Sequence, residues 1–197
     1  MGLALGVLIS GTGSNLGAIL AAVAEGRLDA TVRVVASNKA DALGLDRARN
    51  HGVPAVVLPH QAYADRAAYD AALVEVLRAH GVEWVVLAGF MRIVGPAFLG
   101  AFPGRVINIH PSLLPAFPGV DAQAQALARG VKVTGCTTHF VDGGVDTGPI
   151  IGQRAVRVEE GDTRDALAAR ILVEEHALLV ETLQRVASGE VRARPSP

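Results

Sequence analysis

An amide and an imidazole stand two positions apart, as Asn108 and His110, within the segment Arg105–Pro115. The segment opens as a short run of apolar and β-branched residues, which predicts a strand, and Pro111 and Pro115 prevent its continuation as helix or sheet. Residues two apart on a strand project from the same face. The amide could then stabilise a developing oxyanion while the imidazole transfers a proton.

A histidine in a strand can equally be a core residue whose ring is bonded to the backbone. For His110 the proline-rich exit favours chemistry, because two prolines form a rigid segment that displays the pair rather than burying it. The sequence therefore predicts an accessible amide and imidazole at the carboxyl end of a strand.

A glycine-rich turn, Ser10–Asn15, follows the apolar run Leu3–Ile9 and precedes residues at helical spacing. Such a turn lets backbone N–H groups converge at a helix N-terminus, where phosphate binds, although many glycine turns serve packing alone. The spacing is not the dinucleotide fingerprint, because Leu16 stands where a third glycine is required. The second predicted strand, Thr31–Ser37, is also followed by Asn38 and Lys39 rather than an acidic residue. We therefore predict a monophosphate site and no NAD.

Four further candidate functional sites can each also be explained by an ordinary structural role. Arg66 lies near the start of a predicted helix, Tyr63–Ala79, where an arginine is usually a solvated charge. The run Met91–Val94 suits a flat aromatic ligand but also suits a core. Asp146 lies in a turn rich in glycine and carboxylates, where it can be an ordinary turn residue. Glu175 lies on an apolar helical stripe, at the edge of a pocket or at a boundary with water.

Composition predicts one soluble domain in a reducing, cytoplasmic compartment. The 197 residues include 18 Lys+Arg and 19 Asp+Glu, a net charge of −1, which disfavours nucleic acid as a partner. The single cysteine, Cys136, excludes a disulfide framework and a cysteine-based zinc cluster. The first apolar run is too short for a membrane span and lacks a basic leader. We expect a domain over residues 1–190 and a loose tail over 191–197.

The alternation of strands and helices predicts an α/β fold: a doubly wound, mostly parallel sheet with helices on both faces and ligands at the strands' carboxyl ends. Two late strands form an antiparallel edge hairpin. The remaining predicted elements are the helices Asp41–Asn50, one opening at Gly95-Pro96, Ala122–Arg129 and one from the Asp162-Thr163 cap to about Ser188, and the strands Pro54–Leu58, Glu83–Leu87, Lys132–Val141 and Ile150–Val158.

Six segments, in order along nearly the whole chain, resemble the folate-dependent glycinamide ribonucleotide formyltransferases of purine synthesis. They are SGTGSNL, SNKADALGLDRA, VVLAGFMRI, NIHPSLLP, GCTTHFVDGGVDTGPII and EEHALL. The resemblance implies transfer of a formyl group from 10-formyltetrahydrofolate to the amine of glycinamide ribonucleotide, by direct attack through a tetrahedral intermediate. It implies small-molecule substrates, no metal, no membrane or nucleic-acid partner, and a monomer or homodimer.

The resemblance also implies site residues. The catalytic residues would be Asn108, His110 and Asp146, with Thr137 as a supporting hydroxyl. The substrate phosphate would lie on Gly13, Ser14 and Asn15, and the ribosyl-glycinamide would lie near Glu174 and Glu175. The folate residues would be Arg66, Met91, Arg92, Ile93, Val94, Asn108, Asp142, Gly143, Gly144, Val145 and Asp146.

Two residues differ from those usual in the family, and three alternative functions stand beside this interpretation. Gln123 stands where relatives often carry a histidine, and Gly143 where many carry an acidic or larger residue. The alternative functions are a formyl-tetrahydrofolate hydrolase, a transferase to a different amine, and a non-catalytic nucleotide-binding module. Transferases acting on tRNA or sugar nucleotides usually carry an extra domain, and the module would leave Asn108, His110 and Asp146 without a purpose.

Overall fold

The computed structural model describes residues 2–194, in which seven strands form one sheet. The strands are β1 (Leu3–Ile9), β2 (Ala30–Ser37), β3 (Ala55–Val57), β4 (Trp84–Leu87), β5 (Val106–His110), β6 (Val133–Phe140) and β7 (Ile150–Arg157). The helices are α1 (Ser14–Ala24), α2 (Gly44–Asn50), α3 (Arg66–Ala79), α4 (Pro96–Ala101), α5 (Ala122–Arg129) and α6 (Arg164–Ala187).

The sheet has the order β3-β2-β1-β4-β5-β6-β7, and its first five strands are parallel. β6 pairs antiparallel with both β5 and β7. The predicted doubly wound, mostly parallel sheet with an antiparallel edge hairpin is therefore confirmed.

Helices cover both faces of the sheet, which explains why β1 is apolar throughout. Leu5 and Val7 pack in a cluster with residues of α1 and α6, whereas Leu8 packs in a second cluster with residues of α3 and α4. β5 follows the same alternation, since Ile107 belongs to the first cluster and Val106 to the second. Asn108 and His110 therefore share the α3/α4 face with Val106.

Two predicted helix starts are corrected. α2 begins at Gly44 rather than at Asp41, where the N–H of Gly44 donates to Gly11 O. A tertiary contact with the glycine turn thus sets the start of this helix. α3 begins at Arg66 rather than at Tyr63, because the side chain of Asp65 accepts from the N–H of Ala68.

The loose tail predicted from residue 191 is wrong for residues 191–194. Val191 N–H donates to Arg185 O, and Arg194 N–H donates to Gly104 O. Val191 and Ala193 pack against the first apolar cluster, so burial holds this segment in place. Residues 195–197 of the predicted tail lie outside the described residues.

Within residues 2–194, no helix is long and apolar enough to cross a membrane. The same residues contain no group of three or more His, Cys, Asp or Glu side chains placed to hold a metal ion. Cys136 is fully buried on β6, and burial raises the pKa of its thiol to about 12, which makes it a poor nucleophile.

Candidate active site

Three candidate segments lie side by side because β1, β4 and β5 are parallel neighbours. Ser10–Asn15 follows β1, Met91–Val94 follows β4, and Asn108 and His110 end β5. The carboxyl ends of parallel strands meet at one edge of a sheet, which is where ligands bind in such folds.

The structure brings Asn108, His110 and Asp146 together. His110 Nδ1 lies 3.3 Å from Asp146 Oδ2, and Asn108 Nδ2 donates to Asp146 Oδ1 at 3.3 Å. Both residues of the β5 pair thus reach one carboxylate, each through a different oxygen. This arrangement joins a possible acid–base group to an amide donor within one small polar cluster.

Asp146 reaches the pair because the loop after β6 reverses direction. Val141 N–H donates to Val106 O, at the start of β5, and the chain then returns toward the other end of that strand. Inside the loop the carboxylate of Asp142 accepts from Gly144 N–H and from the Thr147 hydroxyl. Asp146 itself has a φ of 55°, a left-handed conformation that is uncommon outside glycine but that aspartate adopts more readily than most residues.

His110 is 4% exposed, so the prediction of an accessible imidazole is wrong for this residue. The segment after the prolines folds back over the ring, and His110 Nε2 lies 2.8 Å from Phe117 O. Both ring nitrogens therefore face oxygen acceptors, the carbonyl of Phe117 and the carboxylate of Asp146. A doubly protonated imidazolium satisfies both contacts, whereas a neutral ring can donate to only one.

The environment holds Asp146 in its charged form. Burial alone would raise the pKa of this carboxyl, but the hydrogen bond from Gly119 N–H and the positive charge of His110 lower it below its ordinary value. Gly119 N–H donates to Asp146 Oδ2 at 2.8 Å, which connects the segment after β5 to the loop after β6.

His139 belongs to the same cluster and was missed by the sequence interpretation. Its Nδ1 lies 2.9 Å from Phe140 O, so Nδ1 carries the proton and Nε2 accepts. Asn108 Nδ2 lies 3.1 Å from that Nε2. The two amide hydrogens of Asn108 are thus directed at His139 and Asp146. The alternation of β6 was the available signal, since Thr137 and His139 face the same side of the sheet.

The glycine turn forms a cradle at the start of α1. Gly13 has a φ of 66°, and a side chain there would meet the Cα atom of Gly44 at 2.6 Å. No side chain caps the first turn of α1, so its N–H groups remain open to an anion. Gly13, Ser14 and Asn15 thus form a turn with the geometry of a phosphate site.

Asn15 Nδ2 donates to Glu175 Oε2 at 2.8 Å, which joins the turn to α6. Glu175 is 8% exposed, and burial raises the pKa of its carboxyl, partly opposed by this hydrogen bond. Glu174, predicted beside it, instead pairs with Arg154 on β7 at 3.0 Å. Neighbouring helical residues point in different directions, so only Glu175 joins the turn.

Two basic residues near the turn were also missed. Arg47 Nε donates to Thr12 O at 2.9 Å. His176 Nε2 is buried and has no hydrogen-bond partner, and burial together with the charge of Arg47 lowers the pKa of the imidazole. An unpartnered nitrogen beside an anion cradle suits a ligand oxygen. His176 directly follows Glu175 in the segment EEHALL, and that segment was the sequence signal for it.

The predicted folate residues lie mostly at the surface. Met91 and Ile93 are 67% and 56% exposed, whereas Val94 is buried. Arg66 and Arg92 are exposed. In the loop after β6, Gly143, Gly144 and Val145 are exposed, and Asp142 and Asp146 are partly buried.

Thr137 supports the segment that leaves β5. Its hydroxyl donates to Ser112 O at 2.6 Å and accepts from Leu114 N–H at 3.0 Å. The side chain of Gln153 also donates to this hydroxyl. Gln123 is partly buried on α5, and a Cβ atom added at Gly143 would meet no atom within 4 Å, so neither departure disturbs the cluster.

The fold and the cluster together define an α/β protein with an amide–imidazole–carboxylate site at the sheet edge. A family model described as formyl transferase matches residues 4–183. This protein therefore belongs to the formyl transferase family.

Comparison with individual relatives shows which members of this family the chain is similar to. The chain is 45% identical to phosphoribosylglycinamide formyltransferase from Escherichia coli, over 94% of this chain and 88% of that protein. It is 50% identical to the trifunctional purine biosynthetic protein adenosine-3 of Bos taurus but spans only 18% of its length. The crystal structure of glycinamide ribonucleotide transformylase 1 from Symbiobacterium toebii superposes with a TM-score of 0.96 at 56% identity, covering 98% of this chain and 91% of that one.

Proposed function

We propose that this protein transfers the formyl group of 10-formyltetrahydrofolate to the amine of glycinamide ribonucleotide, a step of purine (IMP) synthesis. The observation that carries the proposal is the convergence of Asn108 and His110 on the carboxylate of Asp146, beside an anion cradle. The names of relatives with comparable length support the same reaction.

In the proposed complex, the substrate phosphate binds the open N–H groups of α1 at Gly13, Ser14 and Asn15. Arg47 and His176 stand beside this turn, and the unpartnered His176 Nε2 would meet a phosphate oxygen. Glu175, held by Asn15, would accept from hydroxyl or amine groups of the ribosyl-glycinamide. Glu174 is left out of this arrangement because its carboxylate is paired with Arg154.

The folate would bind between Met91–Val94 and the loop Asp142–Asp146. Exposed Met91 and Ile93 supply an apolar surface for a flat ring, and backbone groups of the loop supply hydrogen bonds. Arg66 and Arg92 lie where they can pair with carboxylates of the folate tail. None of these roles calls for a metal ion or NAD.

The reaction needs proximity, a stabilised oxyanion and a path for one proton, and it needs no covalent enzyme nucleophile. The substrate amine, with an ordinary pKa of roughly 8, is partly neutral near pH 7 and attacks the formyl carbon. The carbonyl oxygen becomes negative, and the proton on the attacking nitrogen moves to the leaving N10. His110 would donate to the oxyanion, and Asp146 would keep the ring charged and assist the proton transfer.

Two contacts must change before this chemistry. Asn108 Nδ2 already donates to His139 and Asp146, so it must release one acceptor to reach the oxyanion. The bond to Asp146, at 3.3 Å, is longer than the contact of 3.1 Å with His139 and would be exchanged. His110 Nε2 must likewise leave Phe117 O, which requires the segment after β5 to shift.

An absorbance assay with 10-formyltetrahydrofolate tests the proposal. Loss of the formyl group only when glycinamide ribonucleotide is also present supports the transferase. Turnover without the amine would instead establish a hydrolase, and binding of the nucleotide without turnover would establish a binding module. A cytoplasmic location, and a monomer or homodimer, remain predictions.

A further inference from the structure

The segment that follows β4 is held at both ends by buried side chains. At its start, Ser10 Oγ accepts from Met91 N–H at 2.8 Å, and just past its end Asp70 Oδ2 accepts from Gly95 N–H at 2.6 Å. Ser10 is 5% exposed and Asp70 is 2% exposed. Two side chains distant in sequence thus fix the backbone of residues 91–95.

Between these two bonds the segment displays apolar side chains to solvent. Met91 and Ile93 are exposed, although their backbone is anchored to the protein interior. A fixed backbone that presents exposed apolar groups loses little conformational entropy on binding, so it is a preorganised surface for a ligand.

The orientation of the Ser10 hydroxyl is set by Asn38. Ser10 Oγ donates to Asn38 Oδ1 at 2.6 Å, and Asn38 Nδ2 lies 3.4 Å from His60 Nδ1. Because the hydroxyl hydrogen is committed to Asn38, an oxygen lone pair is left for Met91 N–H. Ser10 N–H also donates to Gly89 O, so Ser10 is bonded to this segment twice.

The contact of Asp70 with Gly95 depends on a close approach. A Cβ atom at Gly95 would lie 2.8 Å from Asp70 Oδ2, so a larger residue would push the two apart. The other oxygen, Asp70 Oδ1, is buried and has no partner. Burying a carboxylate is costly, and the bond from Gly95 N–H offsets part of that cost.

We propose that Ser10 and Asp70 are positioning residues for the formyl donor: they fix Met91–Val94 in the conformation that binds the reduced folate. The inference rests on the proposed function, which places folate at this segment. Ser10 also begins the turn that would hold the substrate phosphate, so one side chain joins the donor segment to the acceptor turn.

The test compares full-length Ser10→Ala with Thr182→Val, which removes a buried hydroxyl bonded to Thr138 at 2.8 Å and distant from the segment. Loss of the hydrogen bond from Met91 N–H should raise the KM for 10-formyltetrahydrofolate and the Kd for tetrahydrofolate roughly fivefold to tenfold in Ser10→Ala. The kcat at saturating donor should stay within about twofold, because the reacting groups are untouched. Thr182→Val should change neither constant.

Amide hydrogen exchange provides a readout that does not depend on activity. The Met91 amide should exchange faster in Ser10→Ala, and the Gly95 amide faster in Asp70→Ala. Asp70→Asn keeps an oxygen acceptor and should restore both the slow exchange of Gly95 and the affinity for tetrahydrofolate.

Unchanged exchange of Met91 in Ser10→Ala would overturn the inference while leaving the proposed function intact. A fall in kcat with an unchanged KM for the donor would also overturn it, since the residue would then act on the chemical step. If the wild-type protein does not bind tetrahydrofolate, although the Met91 amide exchanges faster in Ser10→Ala, the proposed function has failed. The role of Ser10 and Asp70 in folate binding then fails with it.

Discussion

Asp146 Oδ2 lies 3.3 Å from His110 Nδ1, and this contact joins the end of β5 to a loop that leaves β6. The second ring nitrogen faces Phe117 O, so His110 is held between a carboxylate and a carbonyl. The ring is thereby oriented and suited to carry a positive charge where an oxyanion would develop.

Replacing His110 by Ala should lower kcat by about 10²–10⁴-fold, the effect of losing a general acid or base. Formyl transfer is followed by absorbance, and circular dichroism confirms that the variant is folded. Thr182→Val, which also alters a buried polar residue, should retain wild-type turnover. Near-normal turnover of purified His110→Ala would remove this residue from the mechanism.

Replacing Asn108 by Ala should raise the barrier of the chemical step by about 3 kcal/mol, the usual effect of losing one oxyanion donor. Single-turnover measurements isolate this step from product release. The Kd for glycinamide ribonucleotide should change little, because the amide of Asn108 is directed at His139 and Asp146 and not at the phosphate turn. An equal loss in binding and in rate would argue against an oxyanion role.

Asp146→Asn should make the free energy of unfolding vary less with pH in the acid range. The pKa of Asp146 is lowered in the folded state, so its charged form stabilises the protein above the ordinary carboxyl pKa of about 4, and this contribution is lost as pH falls through the lowered pKa. Urea unfolding should therefore show the largest difference from wild type near neutral pH and a smaller one in acid. Asp165→Asn, whose side chain is 89% exposed, serves as the control. A pH-independent difference would contradict the assignment.

Glu175→Gln should stabilise the fold at neutral pH and weaken substrate binding. Burial raises the pKa of Glu175, so the charged carboxylate costs stability as pH rises above the ordinary value of 4.5, and glutamine avoids this cost while still accepting from Asn15. The KM for glycinamide ribonucleotide should rise about tenfold, as expected when a hydrogen bond to a charged group is lost.

Glu174→Gln provides the matched comparison for Glu175. Its carboxylate pairs with Arg154 at the surface, where an ion pair contributes little, so both stability and KM should stay near wild type. A large rise in KM for Glu174→Gln, with none for Glu175→Gln, would reverse the assignment of the two acids.

Much of the fold could be predicted because its strands are strongly patterned. The continuous apolar run Leu3–Ile9 and the helix Ala122–Arg129 have the bounds that local pattern indicated. Helix starts were less predictable where a tertiary contact decides them, as at Gly44, whose N–H binds Gly11 O. The tail was mispredicted because the apolar surface that covers Val191 and Ala193 comes from distant parts of the chain.

The site was only partly predictable from the residues themselves. The shared face of Asn108 and His110 follows from strand geometry, but the return of the loop that delivers Asp146 leaves no periodic signal. The closing of Phe117 over His110 was also missed, because proline rigidity limits the backbone without determining the direction in which the segment turns. Resemblance, not spacing, indicated Asp146.

The described ends of the chain both lie at the amino ends of parallel strands. Leu3 begins β1, and Arg194 N–H binds Gly104 O just before β5, on the order of 20 Å from the strand ends that carry the site. A surface tether or fluorescent label attached at Leu3 or Arg194 would therefore lie away from the sheet edge that carries the site. Immobilised protein should keep its substrate entrance unobstructed, which suits it to sensor-chip measurements of nucleotide and folate binding.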